Sequence, residues 1–280
     1  MMAERAARAM RAAAELATRL GIAGVAPVLL NDSNNVSVRL APRPLVARMS
    51  GAAGESGTKA ARELAVARHL ADKGAPVVPP AIELPAGPHL VDGLTVTLWR
   101  FVEHRPAEES DGVDAARALR AVHEALADCP GVLPPFGDTS CRARALLDDP
   151  SALPALAPAD RLFLVATHDR IAGELAAFVM PTHPIHGDAH LGNVLITANG
   201  PRWTDFETAC LGPREWDIGF LPDVDPTPFA DIDRDLFEAL ADLRSLCVAV
   251  WCFALYDVPE KREAADFHLG WLKERAARFG

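Results

Sequence analysis

The chain has 280 residues, half of them apolar, enough to bury one large core or two small ones, so a globular protein is the expectation. Its net charge of −10 is unevenly divided, +4 over residues 1–100 and −14 over residues 101–280. A strongly acidic C-terminal part is ill matched to a phosphate backbone, which argues against nucleic acid as a partner. The longest apolar run, Leu246 to Tyr256, is too short to span a bilayer, which excludes a membrane role for it.

The acidic C-terminal part suits a cationic or amine-bearing small molecule, with a solvated surface that aids solubility as the plainer alternative. Five cysteines, with no Cys-x-x-Cys spacing, read as free thiols in a reducing compartment. The N-terminal Ala/Arg-rich segment carries Glu4 and Glu15, which argues for an amphipathic helix over residues 3–20 rather than a targeting leader. A cytoplasmic location is the expectation.

Three β-prone runs follow, Val25 to Leu30, Val36 to Leu40 and Leu45 to Met49, separated by the polar turn 31–35 and by Pro42-Arg43-Pro44. This spacing predicts an antiparallel meander. The first turn holds Asn34 and Asn35. It could lay its amides over phosphates, but it lacks glycine, and taken alone it reads as an ordinary turn. In the third run Arg48 points opposite to Ala47 and Met49. A helix is predicted over Lys59 to Lys73, capped by Thr58 and stopped by Gly74. On it Glu63 shares a face with Ala67 and Leu70, and a carboxylate on an apolar stripe wants a cation. Arg48 is the candidate partner, and a rim position for Glu63 is the alternative. Leu94 to Trp99 is a further strand leading into a linker, Phe101-Val102-Glu103.

Helices are then expected over Asp114 to Asp128, within Leu153 to Phe178, over Asp231 to Tyr256 and over Lys261 to Phe279, with no internal repeat. Among them lies the chemically richest stretch, Ile185-His186-Gly187-Asp188-Ala189-His190-Leu191-Gly192-Asn193. After it, Val194 to Thr197 and Arg202 to Asp205 are predicted as the arms of a hairpin turning at Asn199-Gly200. Counted outward from the turn, Asn193 and Asp205 fall within about one residue of facing each other. With Asp188 just before them, three oxygen-bearing side chains converge where a hard cation could be held. Strands plus one helix, a linker and then mostly helices make an α+β chain with two lobes and a cleft.

Two other readings of these residues stand. His186-x-Asp188-x-His190, with His168 or His183, could be a zinc ligand set on one strand face, as in a metal-dependent hydrolase. The chain could also bind nucleotide without catalysis.

His186-Gly187-Asp188-Ala189-His190-Leu191-Gly192-Asn193, Asp205-Phe206-Glu207 and Trp216-Asp217 closely resemble the aminoglycoside phosphotransferase and choline kinase family, which has a protein-kinase-like fold. The resemblance runs the length of the chain. It implies a small N-terminal antiparallel sheet lobe over 1–100 that binds nucleotide and a larger, mostly helical C-terminal lobe over 101–280 that binds substrate. It implies Asp188 as the catalytic carboxylate, and Asn193 and Asp205 as holders of Mg2+ on ATP. Arg48 would contact the phosphates, braced by Glu63, under the Asn34-Asn35 turn. The backbone of Phe101, Val102 and Glu103 would meet the adenine. His186 and Asp217 would support the catalytic loop.

Three departures bear on the acceptor. Arg48 stands where many kinases have lysine, and a planar fork grips phosphate differently from a point charge. The nucleotide-covering turn has no glycine. Asp205-Phe206-Glu207 replaces the protein-kinase Asp-Phe-Gly, with no Ala-Pro-Glu after it. The expectation is a small-molecule kinase acting on a hydroxyl of a basic, aminoglycoside-like substrate, with choline, ethanolamine or a sugar as alternatives. Glu207 and Glu215 are candidate amine ligands, and Trp216 and Trp271 candidate walls of an aromatic cage.

Overall fold

A computed structural model describes residues 2–32, 35–50, 55–221, 229 and 231–279. Asn34, expected in the nucleotide-covering turn, lies outside the described residues. The chain forms two compact units, residues 1–131 with 190–209, and residues 132–189 with 210–280.

In the first unit, α1 (Met2–Arg19) precedes β1 (Ala26–Asp32), β2 (Val36–Ala41) and β3 (Leu45–Ser50), then α2 (Glu55–Asp72), β4 (His89–Val91) and β5 (Leu94–Arg100). These strands make one antiparallel sheet in the order β1-β2-β3-β5-β4. Its construction follows the period of two in the sequence. Val36, Val38 and Leu40 on β2 and Ala47 and Met49 on β3 are buried, while Ser37, Arg39, Val46 and Arg48 take the other face. Register pairs Ser37 with Arg48 and Arg48 with Thr97; one step along, Arg39 pairs with Val46 and Val46 with Trp99. Helix α2 begins before Thr58, so that residue lies inside the helix and is not its cap. Gly74, at φ 74°, follows its end.

Three further elements complete this unit: β6 (Arg105–Pro106), α3 (Gly112–Leu126) and the hairpin of β8 (Val194–Thr197) and β9 (Gly200–Trp203). Thr197 pairs with Gly200, so the turn residues are Ala198 and Asn199, one residue earlier than expected. Gly200 takes φ 94°, a value a side chain would strain. Packing joins α3 and the hairpin to this unit: the fully buried Trp203 donates its indole N–H to the Ala115 carbonyl at 3.2 Å, and its own carbonyl accepts from Val78 N–H at 2.9 Å.

The second unit contains α4 (Gly137–Asp148), α5 (Pro158–Leu175), β7 (His183–Ile185), β10 (Cys210–Gly212), α6 (Arg214–Ile218), α7 (Arg234–Phe253) and α8 (Pro259–Phe279). Its core joins Leu147, Leu164 and Ile171 to Trp216 and to Leu236, Leu240, Leu243 and Cys247 of one α7 face. Asp233 caps α7, its carboxylate accepting from Asp235 and Leu236 N–H at 3.0 and 3.1 Å. Among the described residues, no helix is long and apolar enough to cross a membrane.

Candidate functional site

The segment 185–189 of the second unit is organised by one carboxylate. Strand β7 ends at Ile185, and Gly187 adopts φ 87°, a conformation that breaks the extended run. Two successive backbone amides thereby face the same way. Asp217, fully buried on the short helix α6, accepts from His186 N–H at 2.7 Å and from Gly187 N–H at 2.8 Å. Trp216 beside it donates its indole N–H to the Gly187 carbonyl at 3.0 Å. The buried His186 accepts the Asp188 N–H on Nδ1 at 3.3 Å, which leaves the ring proton on Nε2. Asp188 is half-buried at the end of this tied loop. Its backbone is anchored through the residues before it and through α6.

The period-2 zinc set does not form. Residues 186–190 are not a strand, because the positive φ at Gly187 turns the chain away from alternation. Among the described residues, no group of three or more His, Cys, Asp or Glu is arranged to hold a metal ion.

In the first unit, the open end of the β8–β9 hairpin carries Asn193 and Asp205. Thr204 N–H donates to the Asn193 carbonyl at 3.0 Å, continuing the ladder one step beyond the Val194–Trp203 pair. Asp205 follows in the left-handed region, φ 70° and ψ 58°. A non-glycine residue there stores local strain of roughly 1–3 kcal/mol, and such positions cluster at functional sites. One amide oxygen and one carboxylate at the same hairpin end fit Mg2+, which keeps positions for phosphates and waters.

Arg48 is the hub of this half. Its guanidinium, 11% exposed, donates to Glu63, to Asp205 at 2.6 Å and to Glu207 at 3.4 Å. Burial pulls the Arg48 pKa down, but Glu63, Asp205 and Glu207 together carry it above its ordinary value, so it stays cationic. Glu63 is 2% exposed, and burial pushes its carboxyl up to about 7 against the opposing pull of Arg48. Repulsion from the neighbouring Asp205 and Glu207 carboxylates adds to that upward push. Arg48, Glu63 and Glu207 line a pocket of about 150 Å³ together with Asn35, Ser50, Ser56, Lys59, Ala60 and Thr97.

Glu207 sits in this network. Its carboxylate accepts from Asn35 Nδ2 at 3.1 Å, and its carbonyl accepts from Arg62 at 3.0 Å. Two of the linker's backbone groups are engaged within the protein: Phe101 N–H donates to the Pro44 carbonyl at 2.8 Å, and the Val102 carbonyl faces His104 Nδ1 at 2.8 Å. Glu103 is exposed.

The other substrate candidates have structural partners. Glu215 is 6% exposed and accepts the Asp233 N–H at 2.9 Å, which ties α6 to the start of α7. Trp216 is fully buried between Phe136 and Phe220, so it offers no wall to a ligand. Trp271 is half-buried under the Arg275 guanidinium. Sequence reasoning did not single out Lys59, Arg62 or Thr97. The Arg48–Thr97 pairing depends on a strand partner more than forty residues away, and the Arg62 bond on one more than a hundred away.

The sequence matches the profile of the phosphotransferase enzyme family over residues 5–248. Among curated protein sequences, none matches. Among solved structures, a choline/ethanolamine kinase family protein from Mesorhizobium loti is 19% identical with TM-score 0.69, covering 98% of this chain and 94% of that one. An amicoumacin kinase in complex with AMP-PNP, Ca2+ and Ami is 13% identical with TM-score 0.73, covering 98% and 96%. The GDP complex of a wild-type aminoglycoside 2'-phosphotransferase is 16% identical with TM-score 0.64, covering 97% and 99%. At these identities the likeness carries the fold, a protein-kinase-like one with a small antiparallel sheet and several helices. With most of its length matched by one family, the chain belongs to the phosphotransferase enzyme family.

Proposed function

We propose that the chain transfers the γ-phosphoryl group of a nucleoside triphosphate to a hydroxyl of a small cationic molecule. The observation that carries this reading is the Asp188 loop, whose preceding amides are both held by the buried Asp217 carboxylate. Such bracing suits a carboxylate that must meet a hydroxyl proton in one geometry.

Asp188 accepts the proton as the hydroxyl oxygen forms its bond to phosphorus, and the bond to the leaving diphosphate breaks to release the nucleoside diphosphate. Arg48, braced by Glu63, holds phosphate oxygens. To do so it exchanges its contacts with Asp205 and Glu207 for the nucleotide. Asn193 and Asp205 would hold Mg2+, which when bound neutralises charge on the phosphates. No covalent enzyme intermediate is needed, so positioning and electrostatics supply the catalysis. The acceptor class is supported by the −14 balance of residues 101–280, and the related structures are named for choline, ethanolamine, amicoumacin and aminoglycosides.

The test is a nucleotide-consumption screen over aminoglycosides, choline, ethanolamine and sugar amines, with Asp188→Asn in parallel. Turnover should fall by about 10²-fold or more while nucleotide affinity is retained. Full activity of Asp188→Asn would remove that residue from the catalytic role. Nucleotide binding without transfer to any acceptor would favour the non-catalytic module.

A further inference from the structure

The face of the sheet that carries Arg48 continues past it. Two residues before the end of β2, Arg39 lies on the same face as Ser37, and its register partner Val46 lies on the same face as Arg48. Arg39 is therefore one sheet row, about 7 Å, from the row of Arg48. On the function proposed above, a nucleotide whose phosphates meet Arg48 would set its base a ribose length along this face, at Arg39, Val46 and the Phe101 linker.

The Arg39 guanidinium is already shaped as a reading surface. It lies over the Phe101 ring at 3.8 Å from the centroid, which covers one planar face and leaves the in-plane donors. Its Nε is buried and has no hydrogen-bond partner among the described residues. Its Nη2 is 3.8 Å from Glu103 Oε1, beyond hydrogen-bond reach, and the Glu103 side chain is 86% exposed. A buried donor without an acceptor costs stability unless something supplies the acceptor.

We infer that Arg39 selects the nucleobase of the phosphoryl donor and favours guanine over adenine, an inference that rests on the nucleotide-dependent function proposed above. Guanine presents two adjacent acceptors, O6 and N7, that match the planar fork of a guanidinium. Adenine presents N7 beside an amino donor, which opposes one arm of the fork. Phe101 holds the fork flat, so the linker contributes its ring to base selection in addition to its backbone.

The experiment compares Mg2+ complexes of AMP-PNP and GMP-PNP by calorimetric titration of the full chain. The wild type should bind GMP-PNP at least about fivefold more tightly. Arg39→Lys keeps the charge and loses the fork; it should bring the ratio near one while AMP-PNP affinity changes by less than about twofold. A wild type with no preference or with adenine preferred, or a ratio unmoved by Arg39→Lys, overturns the assignment. An equal fall for both analogues in Arg39→Lys also overturns it, because that is the signature of a charge that does not read the base. Failure of both analogues to bind would sink the phosphotransfer reading itself, whereas binding without preference sinks only the role of Arg39.

Discussion

Replacing Asp217 with asparagine changes one atom in a fully buried position and tests whether this carboxylate organises the Asp188 loop, which we propose to be catalytic. In the native protein its two oxygens accept from His186 and Gly187 N–H at 2.7 and 2.8 Å. Asparagine keeps one acceptor and presents an amino group to the second N–H. One charge-assisted bond is lost, and two donors confront each other in a site without access to water. The lost bond and the orphaned donor together cost roughly 2–4 kcal/mol. At about 2–4 °C per kcal/mol for a chain near this size, the thermal midpoint should fall on the order of 5–10 °C. Asp188 follows the altered amides, and a displacement of about 1 Å at a reacting group lowers turnover on the order of 10²-fold. Nucleotide affinity, which on the proposed function draws on Arg48 and its partners, should stay within about twofold. Thermal denaturation, steady-state kinetics and a nucleotide titration on one preparation separate these effects. An unchanged midpoint with unchanged kcat would refute the reasoning, and a large loss of nucleotide affinity would show that Asp217 supports more than its own loop.

The Glu63 carboxyl, raised from its ordinary 4.5 to about 7 by burial, makes stability depend on pH. Between those values the folded chain holds a proton that the unfolded chain has released, so this group's contribution is full below the unfolded value and lost as pH rises through about 7. The loss is on the order of 3 kcal/mol, and Glu63→Gln should flatten the decline in denaturant midpoint measured from about pH 5 to 8. An unchanged slope in that variant would place the titration elsewhere. Glu215→Ala should lower stability by about 1–3 kcal/mol by orphaning the Asp233 N–H, while the acceptor KM stays constant. A KM rise without loss of stability would return Glu215 to the substrate site.

The hairpin shows how local pattern and long-range packing divide the work. A short β-branched and aliphatic run and a turn signal near Asn199-Gly200 were enough to place Asn193 and Asp205 at one end, and the one-residue shift of the turn left that conclusion intact. The meander was equally legible, because its strands are consecutive and alternate with a period of two. Helix α4 was not, since it follows a proline-rich run and has no side-chain cap. The three-residue strands β4, β7 and β10 were missed because so short a stretch has no period to read.

Residue chemistry near the motif was read less well than its position. Glu215 and Trp216 lie in a polar, aromatic stretch that looks like a binding surface, yet tertiary packing buries both. Burial is a property of what covers a residue, and the covering groups, Phe136, Phe220 and the start of α7, come from other parts of the chain. By itself the sequence determined the antiparallel strands, the polar hairpin end and the types of group available for phosphoryl transfer, since these depend on neighbours within a few residues. Only the tertiary structure decided that Asp217 would hold two amides of the Asp188 loop, that Glu207 would join Arg48 and Asn35, and that Arg39 would lie flat on Phe101. Each of those contacts joins residues 30 or more positions apart, a separation at which chain folding rather than local pattern sets the distance.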